Sequence, residues 1–309
     1  MSLYPQTHFM RTLANTLIVV LGFSLTVPVT FADDWLACCP ASNDRCNSPR
    51  VLFQWSAGDD SRPTFDPEEP LTTDRPDFTE ASSTVGLGVT QIEAGYTYSY
   101  DSDDGESVRS HSLGEPLFRH GIIANWLELR VAVFPVEERT RTATTSNTTA
   151  GTEDMLLGLK FALTAQEAML PEMAIVPQMT VPTGSNAFTS DRVLPGVNWL
   201  YSWEITDTLA TAGSTQFFRE VDGGTDDTFT QWAQSWTVST SLSDQVGSYV
   251  EWFGLFPSDA DTEQTQHYLN GGFTWLVTND VQFDIRAGWG LNDAADDFFA
   301  GTGLSVRFR

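Results

Sequence analysis

The sequence predicts an all-β fold, a transmembrane antiparallel up-and-down β-barrel of 12 strands spanning residues 89–309. Three observations carry that reading. Segment after segment alternates apolar and polar side chains at a period of two, the signature of a strand that separates two environments. The segments have the length that a tilted membrane strand requires, about 9 to 11 residues. Their connections alternate between short turns and longer acidic loops, as they do in a barrel with one end in the periplasm and the other outside.

Residues 1–32 read as a secretory signal: Arg11, an apolar core from Leu13 to Val27, and small residues ending at Ala32, with acidic Asp33-Asp34 beyond. The core is short for a bilayer-spanning helix, which needs about 20 residues. Residues 33–72 are rich in Pro, Asp and Ser and lack periodicity, so they read as a flexible leader. The three cysteines, Cys38, Cys39 and Cys46, all lie in it. Without a nearby histidine they make a poor zinc site, and a local disulfide in an exported chain is the simpler reading. Residues 73–88 form a lead-in segment before the first strand.

The strands fall at about 89–100, 110–120, 125–135, 153–163, 172–182, 195–204, 208–218, 228–241, 245–255, 266–276, 280–289 and 298–309. In the penultimate one, Val281, Phe283, Ile285, Ala287 and Trp289 share one face, and Gln282, Asp284 and Arg286 the other. The last places Phe298, Ala300, Leu304, Val306 and Phe308 against Gly301, Gly303, Ser305 and Arg307, and Phe308 next to the terminus reads as an assembly signal. Ile92, Ala94, Tyr96, Tyr98 and Tyr100 oppose Gln91 and Glu93 in the first. Pro177 removes a ladder hydrogen bond and suggests a bulge. Asp101–Ser107 and Glu137–Gly151 read as long outer loops, whereas Thr206-Asp207, Ser243-Asp244 and Thr278–Asp280 read as tight turns.

Charge excludes some functions. The net charge of -25 comes from 41 acidic against 16 basic residues, which would repel nucleic acid. An enzyme would need a nucleophile, a base and an orienting group within reach. His111 lies next to Ser110 and Ser112, but neighbours on a strand face opposite ways. No catalytic residue, metal site or cofactor is predicted. Acidic clusters such as Asp101–Asp104 lack the spacing of a calcium loop.

The run Thr73-Asp74-Arg75-Pro76-Asp77-Phe78-Thr79-Glu80, followed by Gln91-Ile92-Glu93-Ala94-Gly95-Tyr96, resembles the opening of the MetA-pathway of phenol degradation family. Leu117–Gly121, Trp126–Arg130, Pro182–Gly184, Asn279–Asp284 and Phe299–Ser305 add to the resemblance, which spans residues 73–309. It implies an outer-membrane channel or transporter-like protein linked by name to the uptake of aromatic compounds.

The candidate lumen residues are Glu93, Glu128, Arg130, Lys160, Asp284 and Arg286, charged side chains on polar strand faces. Interleaved signs favour a network of bridges that holds the barrel's interior, and a ring that selects ions is the sharper alternative. The lead-in motif Asp74, Arg75, Pro76 and Asp77 either folds into the lumen or stays in the periplasm. The expected protein is a passive pore for small molecules in the bacterial outer membrane, with lipid, the barrel-assembly machinery and a small solute as partners. A structural or adhesive barrel and a secreted β-sandwich binding module are the alternatives.

Overall fold

The computed structural model describes residues 50–53, 69–103 and 105–309, so the expected signal and the three cysteines lie outside the described residues. The described residues form strands, turns and bends without a helix. In chain order the strands are β1 (Thr90–Asp103), β2 (Glu106–Gly121), β3 (Leu127–Ala132), β4 (Pro135–Arg141), β5 (Ser146–Thr152), β6 (Met155–Thr164) and β7 (Glu172–Val181). They continue as β8 (Leu194–Thr206), β9 (Leu209–Val221), β10 (Thr228–Ser241), β11 (Val246–Ser258), β12 (Gln266–Thr278), β13 (Val281–Gly290) and β14 (Phe298–Phe308).

The sheet closes on itself because β1 pairs with β14 on one side and with β2 on the other, both antiparallel. The ring runs β1, β2, β3, β6 and on through β14, which makes 12 staves. The hairpin of β4 and β5 is not a separate part of the ring. It prolongs β3 and β6 beyond it, with β4 pairing the outer half of β2 from Ser107 to Ser112. Closure leaves the ring of 12 staves without a free edge, the condition for a backbone to cross a membrane on strands, and the open edge along β5 lies in the projecting hairpin.

Three sequence expectations change. Glu137–Gly151 is no loop but most of the β4–β5 hairpin, because Val136, Thr140, Thr148 and Thr149 are β-branched and keep the strand period. Asp101–Ser107 is strand almost throughout, since β1 and β2 pair as far as Asp103 and Glu106. Pro177 breaks ladder hydrogen bonds without a bulge: β6 and β7 keep one register from Met155 to Ala162, and the shift falls between Ala162 and Thr164.

The alternating faces lie as the period demands. Ile285 is 46% exposed on the outer wall, whereas its neighbour Asp284 is fully buried inside. Phe283, Trp289, Leu304 and Phe308 share the exposed wall with Ile285. Inside, the side chains change character along the barrel axis. On β11 they run from Tyr249 and Glu251 near the short-turn end to Phe253 and Leu255 towards the loop end, and on β14 from Arg307 and Ser305 to Phe299. Phe253, Leu255, Tyr268, Phe299, Ala233 and Ala295 form one buried apolar cluster with Phe78 of the lead-in segment.

Two of the outer loops are tied together by one carboxylate. Asp222 accepts hydrogen bonds from the amides of Asp261 and Thr262, 2.8 Å each, from the Gly224 amide at 2.9 Å, and from the Thr262 hydroxyl. Burial alone would raise its pKa, but those donors together favour the charged form and outweigh burial, holding the pKa at about 2, below the ordinary 3.8. A depressed pKa means that the tie is complete above the ordinary value and is lost as pH falls through the folded one. Amide-exchange protection of residues 259–265 is expected to drop between pH 3.8 and about 2. In Asp222→Asn it should be low already at neutral pH and flat across that window. Equal profiles for the two proteins would contradict the tie.

Candidate functional site

The lead-in segment 73–88, together with its flanks in a stretch from 69 to 89, runs through the inside of the barrel with its two ends exposed, and the wall is built to receive it. Asp74 is its hub. Its carboxylate meets Lys160 Nζ at 2.8 Å, Arg130 Nη2 at 2.8 Å and Arg119 Nη1 at 3.4 Å. These cations reach it from β2, β3 and β6, where period-two spacing turns Arg119, Arg130 and Lys160 inwards. Glu93 and Glu128 complete the cluster, with Arg119 donating to Glu93 at 3.0 Å and to Glu128 at 2.7 Å. The Asp74 amide also donates to Glu93.

Arg75 turns the other way. Its guanidinium bridges Glu115 on β2, at 2.5 Å, and Asp284 on β13, at 3.4 Å. It fits because two glycines opposite each other in the register, Gly95 and Gly303, leave the wall bare. A Cβ at either would lie within 2.4 Å of the Arg75 guanidinium group, so both positions exclude any side chain while Arg75 is seated. Arg286 donates to the carbonyl of Pro76 at 2.7 Å and to the Thr97 hydroxyl at 3.0 Å. Asp77 accepts a hydrogen bond from the Thr237 hydroxyl.

On the far wall Glu251 of β11 takes both main-chain amides of the segment's middle, Phe78 and Thr79, at 2.7 Å each, and a third donor from Asn270 at 2.7 Å. Phe78 stacks on Phe253 with ring centroids 4.4 Å apart. Glu80 is held by two nitrogens of Arg130, at 2.7 and 2.8 Å. Further along, the Val85 amide donates to Glu128. Backbone groups that would otherwise be orphaned inside the barrel thus find charged partners on the wall, the strongest kind of hydrogen bond open to them.

All six candidate lumen residues face inwards, and Glu93, Glu128, Lys160 and Asp284 are fully buried. The structure gathers Glu93, Glu128, Arg130 and Lys160 at Asp74, and places Asp284 and Arg286 at Arg75 and Pro76. The three carboxylates are turned to cations and do not line the cavities that remain. Glu115, Arg119 and Glu251 escaped the sequence reading. Glu115 sits in an irregular stretch of β2 at φ 39° beside Gly114 at φ 78°, where the period-two count fails. Arg119 lies within Leu117–Gly121, a stretch that carries the family resemblance. Glu251 keeps inward parity with Tyr249 and Phe253, a signal hidden by the irregular start of that strand.

The segment fills one side of the lumen and leaves space on the other. A cavity of about 460 Å³ lies between it and β7–β10, lined by Glu172, Ser202, Thr211 and Ser239 among others. A second, of about 360 Å³, borders Asp77, Ala210 and Ser239 too, and continues past Ser248, Tyr249 and Thr274. Both lie on the short-turn side. Towards the loops a smaller space of about 40 Å³ lies beside Phe78, Phe134 and Phe218. A small solute has room below the segment and meets aromatic rings above it.

The overall shape is shared with known barrels. An outer membrane channel from Pseudomonas putida F1 superposes with a TM-score of 0.54 at 12% identity, over 72% of this chain and 96% of that one. The NanC porin matches at 0.44 and 13% identity over 70% of this chain and 98% of its own. The transport unit of the autotransporter AIDA-I from Escherichia coli matches at 0.47 and 8% identity over 72% and 89%. At such identities the likeness concerns the fold. No curated protein sequence matches the chain. The family described as "Putative MetA-pathway of phenol degradation" matches residues 73–308, from Thr73 ahead of the Asp74 hub to the end of the last strand, and the chain belongs to it.

Proposed function

We propose that the protein is a passive outer-membrane channel for small apolar or aromatic solutes, exported by the signal in residues 1–32 and constricted by its own segment 69–89. The supporting observation is the division of the lumen. Rings of Phe78, Phe253, Tyr268, Phe299, Phe218 and Phe134 crowd the loop side, and roomier cavities of about 460 and 360 Å³, lined by polar and apolar groups alike, lie on the short-turn side. An apolar solute entering from outside would leave water for aromatic surface, which is favourable. It would then pass the segment along β8–β11, where the segment is held by Glu251, by Asn198 and by hydroxyls such as Ser202, Ser235 and Thr237. The side held by Asp74 and Arg75 would stay shut.

Entry of the apolar fluorophore phenylnaphthylamine into cells that carry the protein in their outer membrane tests this. Uptake faster than in cells without it, and slowed by Phe78→Asp and Phe253→Asp, is the expected result. Equal rates with and without the protein would refute the proposal.

A further inference from the structure

Most described arginines are engaged by carboxylates or by carbonyl and hydroxyl oxygens, but three on one outer face are not paired with an acid. Arg109 on β2 and Arg139 and Arg141 on β4 are exposed, and no ion pair joins any of them to a described carboxylate. Arg109 and Arg139 stand directly opposite each other in the ladder, with Arg141 opposite Ser107 one step farther out. Like charges directly across a strand pair destabilise it. The local neighbours do little to offset this: Arg139 Nε donates to Ser146 at 3.2 Å, and Arg109 lies over the Tyr100 ring at 5.7 Å. Among the described residues Glu137, opposite His111, is the one carboxylate on this face, so three arginines still outnumber it.

The strand ends give the height of the cluster, since Arg109 lies three residues from the start of β2, where β1 and β2 meet at the loop end of the barrel. Arg109 is opposite Tyr100, Tyr100 is opposite Phe298, and Phe298 is opposite Trp289. Those outward aromatics form the girdle that marks a membrane interface. The arginines therefore lie at the loop end of the outer wall, the end at which these aromatics gather and headgroups lie. In a chain of net charge -25, a positive patch confined to that height and facing outwards calls for a fixed external anion.

We propose that Arg109, Arg139 and Arg141 bind the phosphate groups of the outer-leaflet glycolipid. The proposal rests on the outer-membrane placement given above. Guanidinium groups suit it because they grip phosphate in bidentate fashion and stay charged at the interface. A bound phosphate would neutralise the opposed pair and fasten the β4–β5 hairpin, which projects beyond the ring, to the membrane surface.

The test uses the full chain in detergent, with folding monitored by heat-dependent gel mobility and the thermal unfolding midpoint read as lipid A, a diphosphorylated glycolipid, is added in mixed micelles. The wild type is expected to gain stability, and the combined variant Arg109→Gln, Arg139→Gln, Arg141→Gln to need on the order of tenfold more lipid A for the same shift. Dephosphorylated lipid A should leave the wild type's midpoint unmoved. Arg219→Gln removes one charge elsewhere on the wall, from an arginine already bonded to Thr228 and Thr230, and should behave as wild type. Should the combined variant fail to fold, Arg139→Gln alone carries the comparison. Equal shifts in wild type and variant, an equal loss in Arg219→Gln, or a full shift with inorganic phosphate alone would each overturn the proposal. Wild type found outside the outer-membrane fraction of cells would instead count against the placement, which the micelle titration does not depend on.

Discussion

Replacing Asp74 by alanine is expected to release the lumen segment while the barrel stays closed. The carboxylate faces Lys160, Arg119 and Arg130 together. Without it Arg119 keeps Glu93 and Glu128, and Arg130 keeps Glu80. Lys160, fully buried, keeps the Ala81 carbonyl and loses the one carboxylate with which it forms an ion pair among the described residues. Leaving a buried charge without its partner costs about 3 to 5 kcal/mol. Amide exchange at Phe78 and Thr79 should accelerate by ~100-fold or more on that scale. Lys160→Met in the same chain removes the stranded cation and should recover part of the protection. Unchanged exchange at Phe78 and Thr79 would show that Asp74 does not hold the segment.

Ile285→Arg should damage assembly itself. Ile285 is half-exposed on the outer wall of β13 and points into lipid. An arginine there costs about 2 to 4 kcal/mol near the bilayer midplane. Asp284→Asn, one residue away, changes the inner face. Asp284 pairs with Arg75, so that substitution should loosen the segment and spare the barrel. Folding yield, read as the heat-sensitive fast-migrating band on a gel, is expected to fall sharply for Ile285→Arg and little for Asp284→Asn. Similar yields for both would mean that the faces have been assigned the wrong way round.

Much of the barrel was legible because its defining signal is local. Period two in 281–289 and 298–309 sets which side chains face lipid, and alternating turn lengths set the strand count. The β4–β5 hairpin was misread since a polar, threonine-rich strand standing clear of the membrane has no apolar face to betray it. The lumen was legible in part. Parity alone turns Glu93, Glu128, Arg130, Lys160, Asp284 and Arg286 inwards, but it says nothing about partners more than 200 residues away in the chain. The bond between Arg75 and Asp284 depends on closure of β1 on β14 and on two bare glycines that meet only there. Asp74 and Arg75 carried a motif whose geometry needed the whole ring. Glu251 and Glu115 lay where bulges or unclear starts hide the period.

A 12-strand barrel constricted by residues 69–89 of its own chain should conduct little until that segment is taken away. Single-channel conductance in planar bilayers tests it most directly, comparing the intact protein with a variant in which residues 69–88 are removed and folding is verified by gel mobility. The intact protein is predicted to show small, infrequent openings, and the shortened one a steady conductance several-fold larger. Equal conductance in the two would contradict the account, since the segment would then not be what narrows the lumen.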